Sequence, residues 1–406
     1  MGSLYQKTMK YKIRFSLFFA AMILFNLAAN FAHPVTPTII KNLGLPDYMF
    51  GLMLAAMMLA QFLLSPFWGK INATISSRKT LLISCVGYGA AQLGFAYATT
   101  QSMILLARVM AGVFVGGIFV SFLTYVINMA KPADQGKYLT YSATIQAVFG
   151  AFGYLVGGLL GEWSIRATFL LQAFTLTLSG VMFYLVCLPD STDTRKLPVG
   201  EILRQSNPLQ AFLDGRHFMN PGFVLLFMLN ILMNFGNTGF DQVFNYYLKD
   251  QLGFTSAYNG MIKAAVGLIS FAFNMTLCLW IIRKTDTRKS LVVLTLFCTA
   301  AAVGTLIFPD LVPYIGCSVA LYAGYSVSLP VLQDLAAARS DPSQKNLVMG
   351  FYNATKSLGS IVGSLMSGFL YGIHLKLPFV VVAGAYGLSI LTAVGYLLQC
   401  RKEKTA

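Results

Sequence analysis

The chain has 406 residues, 56% of them hydrophobic and only 11% charged. Soluble globular proteins carry about 25% charged residues, so one water-soluble core is excluded and lipid is the natural solvent. The formal net charge of +15 would suit nucleic acid, but Lys and Arg sit in short segments between apolar runs, where they set membrane orientation; no nucleic-acid partner is expected.

A spanning helix needs about 20 mostly apolar residues, and twelve such runs follow one another. The first, 15–40, is too long for a signal-peptide core, and no small-residue cleavage site follows it. It contains the polar stretch His33-Pro34-Val35-Thr36-Pro37. Runs at 47–68, 80–99, 102–129, 138–161 and 167–188 complete a first half, 1–188. The least apolar segment, 189–220, holds Asp190, Asp193, Arg195, Lys196, Glu201 and Arg204 and reads as a cytoplasmic linker. The second half, 221–406, has runs at 221–248, 256–282, 290–308, 311–336, 346–373 and 377–399. The expected fold is all-α and polytopic: twelve transmembrane helices in two six-helix pseudo-symmetric halves.

With both termini placed in the cytoplasm, the inner segments collect the basic clusters Lys7–Arg14, Lys70–Lys79, Arg283–Lys289 and Arg401–Lys404. The outer loops keep only Lys41, Arg166, Lys249 and Lys376. That asymmetry follows the positive-inside rule. Lean loops and short tails point to a bacterial plasma membrane.

The halves repeat. Asn42-Leu43-Gly44-Leu45 and Gly51 recur as Gln251-Leu252-Gly253-Phe254 and Gly260, 209 residues on. Arg78-Lys79 recurs as Arg288-Lys289 at an offset of 210, and Gly153, Gly157 and Gly158 align with Gly359, Gly363 and Ser364 at 206. Parallel repeats of this kind place a substrate site near the membrane midplane and give alternating access by rocking. Gly112, Gly153, Gly157, Gly359, Gly363 and Gly368 mostly follow four-residue spacing, which lets helices approach closely and serves either packing or sliding.

Ionisable groups inside a bilayer cost about 2.5–3.5 kcal/mol on insertion scales. Arg108, Asp241, Lys263 and Lys356 lie well inside runs, one acid against three bases. Asp241, among Asn234, Asn237 and Gln242, is suited either to carrying a proton or to a structural pair with Lys263 or Lys356. Arg108 reads as a partner of Asp241 or substrate, or as a clamp on backbone. His33 is a candidate titrating group, or a hydrogen-bonded residue beside a proline break. The expected substrate cavity is lined by His33, Asn234, Asn237, Gln242, Lys263, Asn353 and Lys356. Six dispersed cysteines and three histidines without ligand spacing predict no disulfide, metal or cofactor.

The chain resembles the major facilitator superfamily, specifically its twelve-helix drug:proton antiporters, over its full length. Pro34-Val35-Thr36-Pro37 with Gly44 and Gly51 resembles the first-span signature. Ser65-Pro66-Phe67-Trp68-Gly69 followed by Arg78-Lys79 resembles the loop motif after span two, and Arg288 opens its repeat. Arg108 through Gly112 resembles the span-four arginine motif, and Phe240-Asp241 falls at the family's acidic position in span seven. In the loop motif Ala73 replaces an aspartate and Ser76 a glycine; in span five Tyr154 replaces a proline before Gly157-Gly158. The resemblance implies proton coupling through Asp241 and Arg108, and a monomer.

The expected function is secondary active transport of a small organic solute by alternating access, as proton-coupled export of amphipathic compounds. Uptake, exchange or facilitated diffusion of an organic anion, sugar or other metabolite is the alternative. A membrane sensor or lipid-modifying protein is the reading from another class. A sensor would need a soluble signalling domain and a lipid enzyme a cluster of His, Asp and Glu; the sequence supplies neither, and no P-loop motif occurs, so no enzyme is expected.

Overall fold

The computed structural model describes residues 2–190, 198–341 and 344–405; Asp193, Arg195 and Lys196 of the expected linker lie outside them. Among the described residues, all regular structure is helical. The first part of the chain forms α1 (Gly2–Ala29), α2 (Thr36–Asn42), α3 (Met49–Ile75), α4 (Ser77–Ala96), α5 (Gln101–Met129), α6 (Pro132–Trp163) and α7 (Ile165–Val186). Short helices α8 (Val199–Gln205) and α9 (Gln210–Asp214) follow. The second part forms α10 (Pro221–Asp250), α11 (Ser256–Phe273), α12 (Leu279–Lys284), α13 (Thr287–Ile307), α14 (Leu311–Arg339), α15 (Lys345–Ile373) and α16 (Leu377–Thr405). A π-helical turn, Asn274–Cys278, joins α11 to α12.

Ten helical segments are long and apolar enough to cross a membrane. Helices α4 and α15 complete twelve long ones. They fall short in apolarity because α4 opens on Arg78-Lys79 and α15 carries Asn353, Lys356 and four serines. The first span departs from the continuous run expected at 15–40: α1 ends at Ala29 and the chain turns through 30–35. Pro34 has no N–H to give an α-helix and disfavours helical geometry in the residue before it. The helix restarts at Thr36, with Pro37 in the first turn, where a missing N–H costs nothing. Both repeated Leu-Gly turns use glycine for one reason. Gly44 after α2 has φ 59° and Gly253 after α10 has φ 65°, a left-handed conformation that closes a helix end without a Cβ clash.

The chain forms two compact units, neither contiguous in sequence. Unit 1 comprises Met1–Ile39, Leu59–Pro208 and Gly253–Ala264. Within it, α4 packs on α5 and α7, and α1 on α6 and α7. A Cβ at Gly153 or Gly157 of α6 would overlap the backbone of Leu27 or Phe31, so only glycine permits this approach. Gly158 has the same relation to the backbone of Ser256 and Gly260. The expected linker is partly structural: Ile202 of α8 is 2% exposed, against Trp68 and Ile71, and the Trp68 indole donates to the Val113 carbonyl at 2.6 Å.

Unit 2 comprises Ile40–Met58, Leu209–Leu252 and Ala265–Ala406. Here α13 packs on α14 and α16, and α10 on α15 and α16, the same four pairings displaced by the repeat. Gly359 and Gly363 of α15 meet the backbone of Ile231 and Phe235, as Gly153 and Gly157 meet Leu27 and Phe31. Gly368 meets Tyr48 and Gly51. The duplication is thus visible as a shared set of close backbone contacts, the kind on which helix association in lipid depends.

Candidate functional site

In unit 2, α10 carries Asn230, Asn234, Asn237, Thr238, Asp241 and Asn245, which fall within an arc of about 100° and form one stripe of the helix. The stripe faces α14 and α15 through a chain of hydrogen bonds. Asn230 is fully buried; its amide donates to the Tyr352 carbonyl at 2.8 Å and to the Thr355 hydroxyl at 3.0 Å. Asn234 donates to the Asn230 carbonyl at 2.8 Å and accepts from the Tyr325 hydroxyl at 2.7 Å. Thr238 donates to Ser360 at 3.0 Å. Asp241, half-buried, accepts from the Tyr322 hydroxyl at 2.9 Å and from the Gln242 amide at 3.3 Å. Polar groups away from water must be satisfied within the protein, and this seam does so while holding a carboxylate well inside a spanning helix.

The other expected residues of this unit take distinct positions. Asn237 is half-buried on α10; Asn353 is exposed and Lys356 half-buried on α15. Lys356 makes no ion pair or hydrogen bond with any described residue. It is therefore not the structural partner of Asp241, which corrects one of the pairings expected from sequence. At the far end of α10, Lys41 pairs with Asp250 and, at 3.1 Å, with Asp47. Tyr246 donates to Asp47 and Tyr371 to Asp250, both at 2.5 Å. Partial burial opposes the Lys41 charge, but its bonds to Asp250 and Asp47 outweigh burial and hold the ammonium above its usual value.

Unit 1 holds Arg108, His33 and Lys263. Arg108 is 5% exposed, its guanidinium 4.0 Å from the Phe95 ring centre, with one bond, to the Thr36 hydroxyl at 3.4 Å. Its Nε is buried without a partner, and no described carboxylate pairs with it. The backbone-clamp reading of Arg108 has no support in these contacts. The clamp exists elsewhere: where α1 stops, Gln172 donates to the freed Ala28 carbonyl at 2.9 Å and Tyr88 to that of Ala29 at 3.3 Å, satisfying carbonyls that a helix end leaves open. His33 stacks on Tyr154, ring centres 5.2 Å apart. The tyrosine that stands in the span-five proline position therefore serves as a platform for the histidine of span one. Lys263 is 6% exposed.

The loop motif is built on a residue that its pattern did not indicate. Asp190 accepts from the Ser77 amide and hydroxyl, both at 2.7 Å, capping α4 from far along the chain. Arg78 lies 4.1 Å from the Tyr184 ring centre, Lys79 is exposed, and a Cβ at Gly69 would meet nothing within 4 Å. Gly112 is buried on α5 and Arg288 half-buried at the start of α13. Also outside the expected set were Asn230, Tyr322 and Ser360. A repeated pattern marks the first of them: Asn26-x-x-x-Asn30-Phe31 and Asn230-x-x-x-Asn234-Phe235 lie 204 residues apart.

Comparison with known proteins agrees with this architecture. The family description Major Facilitator Superfamily matches residues 17–323. The chain is 21% identical over 399 residues to the quinolone resistance protein NorA of Staphylococcus aureus (strain Mu50 / ATCC 700699), covering 95% of this chain and 96% of that one. It is 20% identical over 372 residues to multidrug resistance protein 2 of Bacillus subtilis (strain 168), covering 91% of each. The crystal structure of the nucleoside transporter NupG superposes with a TM-score of 0.76 at 12% identity, covering 95% of this chain and 99% of that one, a likeness of fold. With three quarters of its length matched, twelve long helices and a duplicated six-helix framework, the chain belongs to the Major Facilitator Superfamily.

Proposed function

We propose that this transporter exports amphipathic organic compounds across a bacterial plasma membrane by alternating access, coupled to protons through Asp241, with both termini in the cytoplasm. Family membership makes it a multi-pass membrane transporter and not an enzyme; the finer reading is supported by similarity along nearly the whole chain to proteins named for quinolone and multidrug resistance. The observation that carries the coupling is Asp241, a carboxylate well inside α10 that shares its proton-accepting oxygens with Tyr322 and Gln242. A carboxylate at this depth is costly when charged, and its hydroxyl and amide neighbours offer a route for proton exchange. Arg108, buried and without a carboxylate partner among the described residues, is the second charged group of the cycle.

The test is proton movement into proteoliposomes that enclose a pH dye, with ethidium, 2-naphthamide and 2-naphthoate as cationic, neutral and anionic solutes. Solute-dependent proton flux is expected, reduced at least tenfold by Asp241→Asn. Full flux in the mutant would make Asp241 structural. Solute equilibration without proton flux would make the protein a uniporter or an exchanger.

A further inference from the structure

Helix α15 presents two stripes of opposite character, one apolar and exposed, the other polar. Leu358, Val362, Met366, Phe369 and Ile373 are 38–75% exposed and follow one another at steps of three and four, the apolar face that a helix turns to lipid. At about 100° per residue, Asn353, Lys356, Ser360, Ser364 and Ser367 centre about 160° away, on the opposite side. Three of these are buried and bonded: Ser360 accepts from Thr238 at 3.0 Å, Ser364 donates to the Gly51 carbonyl at 2.9 Å, and Ser367 donates to the Ser364 carbonyl at 2.8 Å. Asn353 is exposed and Lys356 half-buried, so this face stays accessible where it carries its amide and its charge.

Lys356 lies about 17 Å along the helix from Lys345 and about 26 Å from Ile373, too deep for its ammonium to reach either membrane surface. No described residue pairs with it. An amine in that position keeps its charge only where water or an anion reaches it; otherwise it gives up its proton. The aligned residue in unit 1 is Gly150 and that for Asn353 is Ala147, so the repeated framework does not require either polar group. Away from the span ends, where Asp47 and Asp334 lie, three bases stand against one acid, a balance that favours a negatively charged solute.

We propose that Lys356, with Asn353 one turn away, is the subsite for the acidic group of an amphipathic organic anion. The proposal rests on the reading above, that the chain moves amphipathic compounds, and names their charge. An ammonium is a point charge with three rotatable donors and imposes no planar two-point geometry, so carboxylates and sulfonates fit equally.

The experiment uses the full-length protein in liposomes with Asn353→Cys. The introduced thiol is reacted with an anionic sulfonatoethyl and a cationic trimethylammonioethyl methanethiosulfonate; the native cysteines, five of six buried, give the background. The anionic reagent is expected to react faster, with the anion-to-cation rate ratio falling at least tenfold when Lys356→Met is added and persisting with Lys356→Arg. No reaction above background, or a ratio indifferent to Lys356→Met, overturns the proposal. In the transport arm, 2-naphthoate flux falls at least tenfold in Lys356→Met while 2-naphthamide flux does not. Movement of ethidium or 2-naphthamide without 2-naphthoate leaves the export reading standing and sinks this one. If none of the three moves, the export reading falls, and the labelling ratio alone decides whether this face selects anions.

Discussion

The first helices of the two units carry the same pair of asparagines and use them differently. In unit 1, Asn26 donates to the Met22 carbonyl at 2.8 Å and Asn30, just past the end of α1, to that of Asn26 at 2.9 Å, bonds that reach no other helix. In unit 2, Asn234 repeats the inward bond to Asn230, but Asn230 reaches across to Tyr352 and Thr355, and Asn234 receives Tyr325. The glycine contacts that hold α6 to α1 and α15 to α10 are alike. The duplication therefore preserved the steric framework, while the polar side chains between helices diverged. Unit 2 has Asp241, Asn353 and Lys356 where unit 1 has Pro37, Ala147 and Gly150.

The strongest way to break this comparison is to attack the shared framework. Gly157→Leu and Gly363→Leu each force a side chain into opposing backbone, which costs about 1–3 kcal/mol. Both are expected to lower the thermal midpoint of detergent-purified protein by similar amounts, whereas Gly372→Leu, at a site with no neighbour within 4 Å, leaves it nearly unchanged. A large loss at only one of the paired glycines would show that the frameworks are not equivalent.

A smaller effect sharpens the difference between the units. Asn230→Ala removes two interhelical bonds, worth about 1 kcal/mol in a membrane protein, while the Thr355 hydroxyl keeps its bonds to the Phe351 and Tyr352 carbonyls. Asn26→Ala removes one bond to a carbonyl the helix already occupies, a few tenths of a kcal/mol by the same reasoning. Unfolding midpoints of the two variants should separate in that order; equal losses would mean that Asn26 has an interhelical role.

Much of the framework was legible in sequence, and the reason is physical. Lipid demands long apolar helices, so their number and order follow from composition, and close approach demands glycine, so Gly153, Gly157, Gly359 and Gly363 announce themselves. The site was legible only in part. Asp241 stands out because charge in a membrane is rare. Tyr322 and Ser360 do not, since tyrosine and serine serve as well in packing, and which of them meets Asp241 or Thr238 depends on the register between helices. The break at 30–35 follows from two prolines within four residues, which end a helix even inside an apolar run; the carbonyls they free are met by Gln172 and Tyr88, far away in the chain.

The smallest effect concerns the paired starts of α4 and α13. Asp286 caps α13 from its own side chain, accepting from the Arg288 amide at 3.1 Å, with φ −74°. Its counterpart Ser76 makes no side-chain cap and sits at φ 83°, ψ 147°, a region that only glycine enters freely; the cap comes from Asp190 instead. The family's loop motif has glycine here. Holding a non-glycine residue in such a conformation costs about 1–3 kcal/mol, and glycine returns about 0.5–1 kcal/mol of that through the greater freedom of its unfolded chain. Because Ser76 contributes no cap, Ser76→Gly should stabilise the protein by about 1 kcal/mol net, seen as a higher unfolding midpoint with transport unchanged. A lower midpoint would mean that the serine hydroxyl holds the turn, and that unit 1 replaced the glycine for the sake of a bond rather than in spite of strain.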